Sequence, residues 1–186
     1  MVKYSVLALC GALLAGCAGT SEISRSDSGQ VGWNVTDVAV TVPAALSVST
    51  DPDTRFPDRD IVWWEDPDGD RKAQVADLID VAATRAISGL GGQPVVLQVE
   101  VDHFHAVTPK ARAGGLFSFH DILLHVTPVD AASGAPVGET VDMQITRNAL
   151  AGNRAKRAMA RGETQRARIS AEITAQMARY LAKHGG

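Results

Sequence analysis

From residue 95 to residue 102, Val95, Leu97, Val99 and Val101 alternate with Val96, Gln98, Glu100 and Asp102. A period of two marks a strand with one buried and one wet face. Phe117 to Val126 repeats the pattern with Ile122, Leu124 and Val126, and Val137 to Thr146 repeats it with Val141, Met143 and Ile145. DAASG at 130–134 supplies polar and glycine residues for a hairpin loop between them. An earlier β-branched run, Val38, Val40 and Val42, stops at Pro43 and predicts the first strand. Residues 44–70 carry three prolines among many aspartates, with Ile61-Val62-Trp63-Trp64 as their apolar block. They read as a long ordered loop with a short strand or turn, pinned by the tryptophans.

The period then lengthens. After Asp70, a candidate N-cap, Val75, Leu78, Ile79, Ala82, Ala86 and Leu90 recur at helical spacing, which predicts a helix over 71–88 closed by Gly89 and Gly91-Gly92. Ile169, Ile173, Met177, Tyr180 and Leu181 line one side of a final helix over 163–183. Residues 147–162, rich in Ala and Arg without a clean stripe, read as a loop with a helical turn. The order β-α-β-β-β-α predicts a two-layer α+β domain, with a small, mostly antiparallel four-stranded sheet and two helices on one face. The first strand is expected beside the second, in parallel, through a right-handed crossover.

The first 17 residues do not belong to that domain. Lys3 precedes an apolar run of ten residues, Val6 to Ala15, half the length of about 20 needed to span a bilayer and suited to a secretory leader. The run ends in Leu-Ala-Gly-Cys, Leu14 to Cys17, which resembles the lipobox of bacterial lipoproteins. That resemblance implies a signal peptide over 1–16 and a diacylated Cys17 at the mature N-terminus, with palmitate-type chains. Two or more acyl chains hold a protein stably on a membrane without spanning it. Ala18 in place of Asp implies the outer membrane, periplasmic side. Cys10 leaves with the leader, so the mature chain has no thiol for a disulfide. Residues 17–32, Ser- and Gly-rich after the cysteine, read as a lipidated tether, and 33–184 as one periplasmic domain.

Candidate chemistry is sparse. If Val101 lies opposite Ile122, Val99 opposite Leu124 and Leu97 opposite Val126, then His103 faces His120 with Cβ atoms about 5 Å apart. His105 stands two residues along. A zinc site needs a third ligand, and neither His105 nor Asp121 is well placed in this register. Structural histidines or a protonatable pair are therefore the first reading, and a metal or small-ligand site the alternative. Asp66 to Asp70, DPDGD, fails the calcium-loop spacing because Gly69 stands fourth rather than sixth; it reads as a helix-capping turn.

The net charge of −3 is unevenly spread: residues 51–70 hold eight acids against two bases, and 147–168 seven bases against Glu163. Either the segments compensate each other or form separate solvated faces, or Arg154, Lys156, Arg157 and Arg161 meet anionic lipid headgroups or an acidic partner. No serine-hydrolase elbow, zincin, P-loop or dinucleotide fingerprint is present. An acidic, exported domain also argues against nucleic acid as a partner. The expectation is a protein that is not an enzyme and needs no cofactor.

DIVWWEDPDGDRKAQV (60–75), VVLQVEVDHFHAVT (95–108) and GETQR (162–166) together resemble an uncharacterised family of small lipoproteins from Rhodobacter-like alphaproteobacteria. The resemblance implies an envelope location and a single domain, and brings no site residues with it. The topology also looks like that of periplasmic auxiliary lipoproteins of envelope transport and assembly systems, a likeness at fold level. The expected role is a membrane-anchored interaction module with an envelope protein partner. The alternative is a ligand-binding lipoprotein using His103, His105 and His120.

Overall fold

The computed structural model describes residues 32–88, 91–114 and 118–184. The leader, Cys10, Cys17 and nearly all of the expected tether lie outside the described residues. The elements run β1 (Trp33–Thr41), β2 (Ile61–Val62), α1 (Arg71–Thr84), β3 (Gln93–His105), α2 (Pro109–Ala113), β4 (Phe119–Asp130), β5 (Val141–Asn148), α3 (Gly152–Ala160) and α4 (Gln165–Leu181). The sheet order is β1-β3-β4-β5, with β2 joining β3 where β1 leaves it. Pairing is parallel for β1 and β2 against β3, and antiparallel for β3–β4 and β4–β5.

The chain is thus an α+β fold, and its sheet is mixed rather than mostly antiparallel. The expected parallel partnership of the first long strand with the next is present. Two helices, α2 and α3, come in addition to the two expected. The signal for α2 was Thr108-Pro109: Thr108 accepts the Ala111 N–H at 3.1 Å and Pro109 fills the first turn. α3 has a stripe of only two buried alanines, Ala155 and Ala158, too small to stand out as a hydrophobic period. It ends in a Schellman closure, with Glu163 N–H on Ala158 O and Gly162 N–H on Met159 O, both 2.9 Å, while Gly162 takes φ +80.

Boundaries also shift. α1 stops at Thr84 instead of 88, because Ala86 and Ile87 tighten into three-residue turns onto Ala83 and Thr84. β5 starts at Val141 rather than Val137. The chain before it meets β4 at a bridge between Pro136 and Val129 and a 2.8 Å hydroxyl bond between Thr140 and Thr127, and Gly138 packs too closely on Trp33 and Pro128 for a side chain.

α1 and α4 pack on each other, with α1 over β1 and α4 against β5. Val75, Leu78 and Ile79 of α1 and Ile169, Ile173 and Met177 of α4 close over Val95, Leu97, Val99 and Val101 of β3 and Ile122, Leu124 and Val126 of β4. The opposite sheet face, carrying Gln98, Glu100, Asp102 and Asp142, is open to solvent. Trp33 begins the domain beside the end of α4: its N–H donates to His184 O at 3.2 Å, and the two rings stack 4.5 Å apart. The 17 residues of α4 then span about 25 Å to the other pole, where β3 ends, β4 begins and α2 lies. Among the described residues, no helix is long and apolar enough to cross a membrane.

Candidate functional site

The pole farthest from Trp33 is assembled by the loop before α1. Trp63 and Trp64 divide its work. Trp63 is fully buried and meets Phe104 edge-on at 5.7 Å, while Trp64 is half-buried beneath the Arg71 guanidinium, 5.2 Å from its ring. The Trp63 indole N–H donates to Asp66 at 2.7 Å, and Arg166 Nε donates to the same carboxylate at 3.0 Å. Burial disfavours the Asp66 carboxylate, but these donors outweigh it and hold its pKa below the usual range. The DPDGD turn caps α1 through Asp70, which accepts the Lys72 and Ala73 N–H groups at 2.9 and 3.1 Å.

Gln165, at the start of α4, locks the pole together. Its Oε1 accepts the Val107 N–H at 3.0 Å, and its Nε2 donates to Val107 O at 3.3 Å and Glu65 at 3.1 Å. Arg112 of α2 completes the knot with a 2.8 Å bond to Glu65. Segments 60–75 and 162–166 therefore meet the last residues of 95–108, Phe104 to Thr108, at one end of the molecule.

Two clefts flank α2 there. One, of ≈ 260 Å³, lies between α2 and α3, with Trp64, Val107, Pro109, Ala113, Ala155 and Met159 as apolar walls and Arg112 and Lys156 among its polar edge. The other, of ≈ 360 Å³, lies on the opposite side of α2 and is bounded by Phe56, Pro57, Val62, Ala111 and Phe119, with His105 and Asp121 at its margin. Phe56 is 72% exposed, Phe119 53% and Met159 46%. These are three of the five large exposed hydrophobic residues among the described residues, the others being Val81 and Val141. Apolar exposure concentrated in one place marks an interaction surface. No hydrophobic period announces it, because its members come from five separate segments.

The histidines part company. Val101 pairs with Leu124 and Val99 with Val126, two residues from the expected register. A bulge at Asp102 then sets His103 opposite Leu123, Phe104 opposite Ile122 and His105 opposite Asp121. The buried position at the end of β3 goes to Phe104 because its ring fills the space against Trp63. His103 and His105 consequently lie on the open face, their rings 5.0 Å apart. His103 Nδ1 donates to Asp102 at 2.8 Å and His105 Nε2 to Arg59 O at 2.8 Å. His125, which sequence reasoning passed over, joins them there and donates to Asp142 at 2.7 Å.

His120 points the other way, into the helical side of β4, where it is 1% exposed. The expected His103–His120 pairing is therefore wrong, and the three histidines form no shared site. Among the described residues, no group of three or more His, Cys, Asp or Glu is placed to hold a metal. Burial, reinforced by Arg168, Arg147 and Arg112, lowers the His120 pKa to about 4, so the ring is neutral at pH 7. Both its nitrogens, and Nε of Arg168, are buried without a hydrogen-bond partner among the described residues. They adjoin a void of ≈ 10 Å³ behind the first cleft, room for about one water molecule.

Arg154, Lys156 and Arg157 stand exposed along α3, and Arg161 beyond its end is paired with Glu163 at 2.9 Å. The acidic and basic segments do touch, at Asp66 and Arg166, but that contact leaves the α3 cations uncompensated: none of Arg154, Lys156 and Arg157 makes an ion pair among the described residues.

Three solved structures share parts of this chain path. A candidate lipoprotein from Caulobacter crescentus CB15 is 16% identical, with a TM-score of 0.42, over 67% of this chain and 87% of that one. A Xanthomonas campestris protein described under the family model DUF330 is 12% identical, with a TM-score of 0.46, over 84% and 85%. A minor lipoprotein from Acinetobacter baumannii is 12% identical, with a TM-score of 0.34, over 77% and 93%. No curated protein matches the sequence. Residues 33–186 match the model of a family of unknown function, DUF6778, and the chain belongs to that family.

Proposed function

We propose that this protein is a lipoprotein of the bacterial envelope, anchored through Cys17, that works without turnover as an interaction module of an envelope transport or assembly complex. The observation that carries the reading is the apolar pole around α2. Phe56, Phe119 and Met159 are exposed beside two apolar clefts, about 25 Å along α4 from the Trp33 end at which the tether would leave. A domain held at one pole presents the other to whatever lies beyond its own membrane. Exposed aromatic and Met side chains beside clefts are what a protein partner uses as anchors. The sequence Leu14 to Cys17 supports the anchor, and Ala18 supports the periplasmic face of the outer membrane.

Two measurements test the proposal. Mass spectrometry of the protein from its own host is expected to show a chain beginning at Cys17 with acyl groups attached; an intact leader or an unacylated terminus would refute the anchor. Purification from detergent-solubilised envelopes is expected to bring a stoichiometric envelope protein with it. A clean preparation without one, at native abundance, would refute the docking role.

A further inference from the structure

We infer that the cleft between α2 and α3 binds one anionic amphiphile, a single alkyl or acyl chain ending in a carboxylate or phosphate-type group, with the chain against Trp64 and Met159 and the anion at Lys156 and Arg112. This rests on the reading of the α2 pole as the working end of the domain, and names what that end takes.

The walls decide the class of ligand. Trp64, Val107, Pro109, Ala113, Ala155 and Met159 offer apolar surface alone along most of the cleft. Its polar residues are not equivalent. The Gln165 amide is consumed by Val107 and Glu65, and the Glu65 carboxylate is held by Arg112 and Gln165. What remains for a visitor is cationic: the exposed Lys156 ammonium, which has no ion-pair partner among the described residues, and the part of the Arg112 guanidinium that Glu65 does not engage. Arg154 and Arg157 are exposed on the far face of α3 and take no part in the lining. An apolar slot edged by one unpaired cation, Lys156, and by the free side of the Arg112 guanidinium complements a molecule that is apolar along its length and negative at one end.

Size bears on the number of chains. At ≈ 260 Å³ the cleft falls just under the range of about 300–1,000 Å³ typical of small-molecule sites. That favours one chain over the two of a phospholipid, and a singly dispersed amphiphile over a patch of bilayer surface.

The test uses the acylated protein in nanodiscs of neutral phosphatidylcholine, labelled with a photoreactive diazirine derivative of dodecanoate and mapped by peptide mass spectrometry. Saturable labelling is expected on the peptides carrying Trp64, α2 and α3. It should fall roughly tenfold, the equivalent of ~1.4 kcal/mol, in Ala113→Phe, which narrows the mouth from an exposed position. It should fall comparably in Lys156→Glu, which changes charge at an exposed side chain without touching the core. An alkyl trimethylammonium probe of the same length is expected to leave the cleft unlabelled.

Labelling that ignores both variants, or equal labelling by the cationic probe, would overturn the inference. So would binding to vesicles of anionic phospholipid that persists in Ala113→Phe while the dodecanoate probe leaves the cleft untouched, since that would assign the cations to a bilayer surface. Recovery of an envelope partner with no label in the cleft would overturn this inference alone. A labelled cleft with no partner would leave it standing and remove the docking role.

Discussion

Acidification should weaken this protein through one side chain. His120 is neutral in the folded state because burial, with Arg168, Arg147 and Arg112 adding to it, lowers its pKa from 6.5 to about 4. In the unfolded chain the ring regains the ordinary value and takes up a proton as pH falls below 6.5. Between the two values the unfolded state binds more protons than the folded one, so stability falls as pH falls. Moving from pH 7 to pH 5 should therefore cost about 2 kcal/mol, a large share of the roughly 5–15 kcal/mol that holds a typical domain together. Urea denaturation of wild type and His120→Leu at pH 7, 6 and 5 measures it. Asp130, held down to about 2 mainly by hydrogen bonds from Gln93 and Ser133, loses its contribution only below this window, as does Asp66. The expected result is a midpoint that moves with pH in wild type and much less in the variant. Parallel curves for the two proteins would refute the assignment of a buried, neutral imidazole to His120.

Other consequences are sharper and smaller. Gly162→Ala should cost about 1 kcal/mol in thermal unfolding, because φ is +80 and a Cβ there meets nothing within 4 Å, leaving backbone strain as the whole effect; an unchanged melting temperature would remove the Schellman closure. Gln165→Ala should cost about 1–3 kcal/mol, since the Val107 N–H loses its acceptor, and amide exchange at Val107 should accelerate; full protection there would contradict the clamp. Phe104→Ala should cost about 3–5 kcal/mol, given its complete burial against Trp63. A loss below about 1 kcal/mol would mean that Phe104 does not hold the core position after the bulge.

Much of the fold was written in simple periods, and the parts that were not share a cause. Alternation in β3 and the helical stripe of α4 involve large apolar residues in unbroken register, so they stand out locally. The Asp102 bulge is invisible in such a pattern: one extra residue reverses the parity, and Phe104 then competes with His103 for the core on the strength of a tertiary neighbour, Trp63, 41 residues away in sequence. The same holds for α3, whose contact stripe is Ala155 and Ala158. Small side chains allow close packing without adding hydrophobic contrast. Trp63 and Trp64 were correctly read as pins of the long loop, yet nothing in their sequence says which is buried and which walls a cleft. The site itself, gathered from Phe56, Trp64, α2, Phe119 and α3, exists only once the topology has brought those segments to one pole. Of the basic residues singled out from the sequence, Lys156 alone lines the cleft.

The central claim is that the pole around α2 is where this protein meets its partner. The most direct measurement places a photo-crosslinking amino acid singly at Phe56, Phe119 and Met159, and in parallel at Val81 and Val141, the two large exposed hydrophobics outside that pole among the described residues, in the native host. Irradiated cells are expected to give a discrete higher-mass adduct from the first three positions and none from the last two. Adducts of equal yield at Val81 and Val141, or none at Phe56, Phe119 and Met159, would contradict the account.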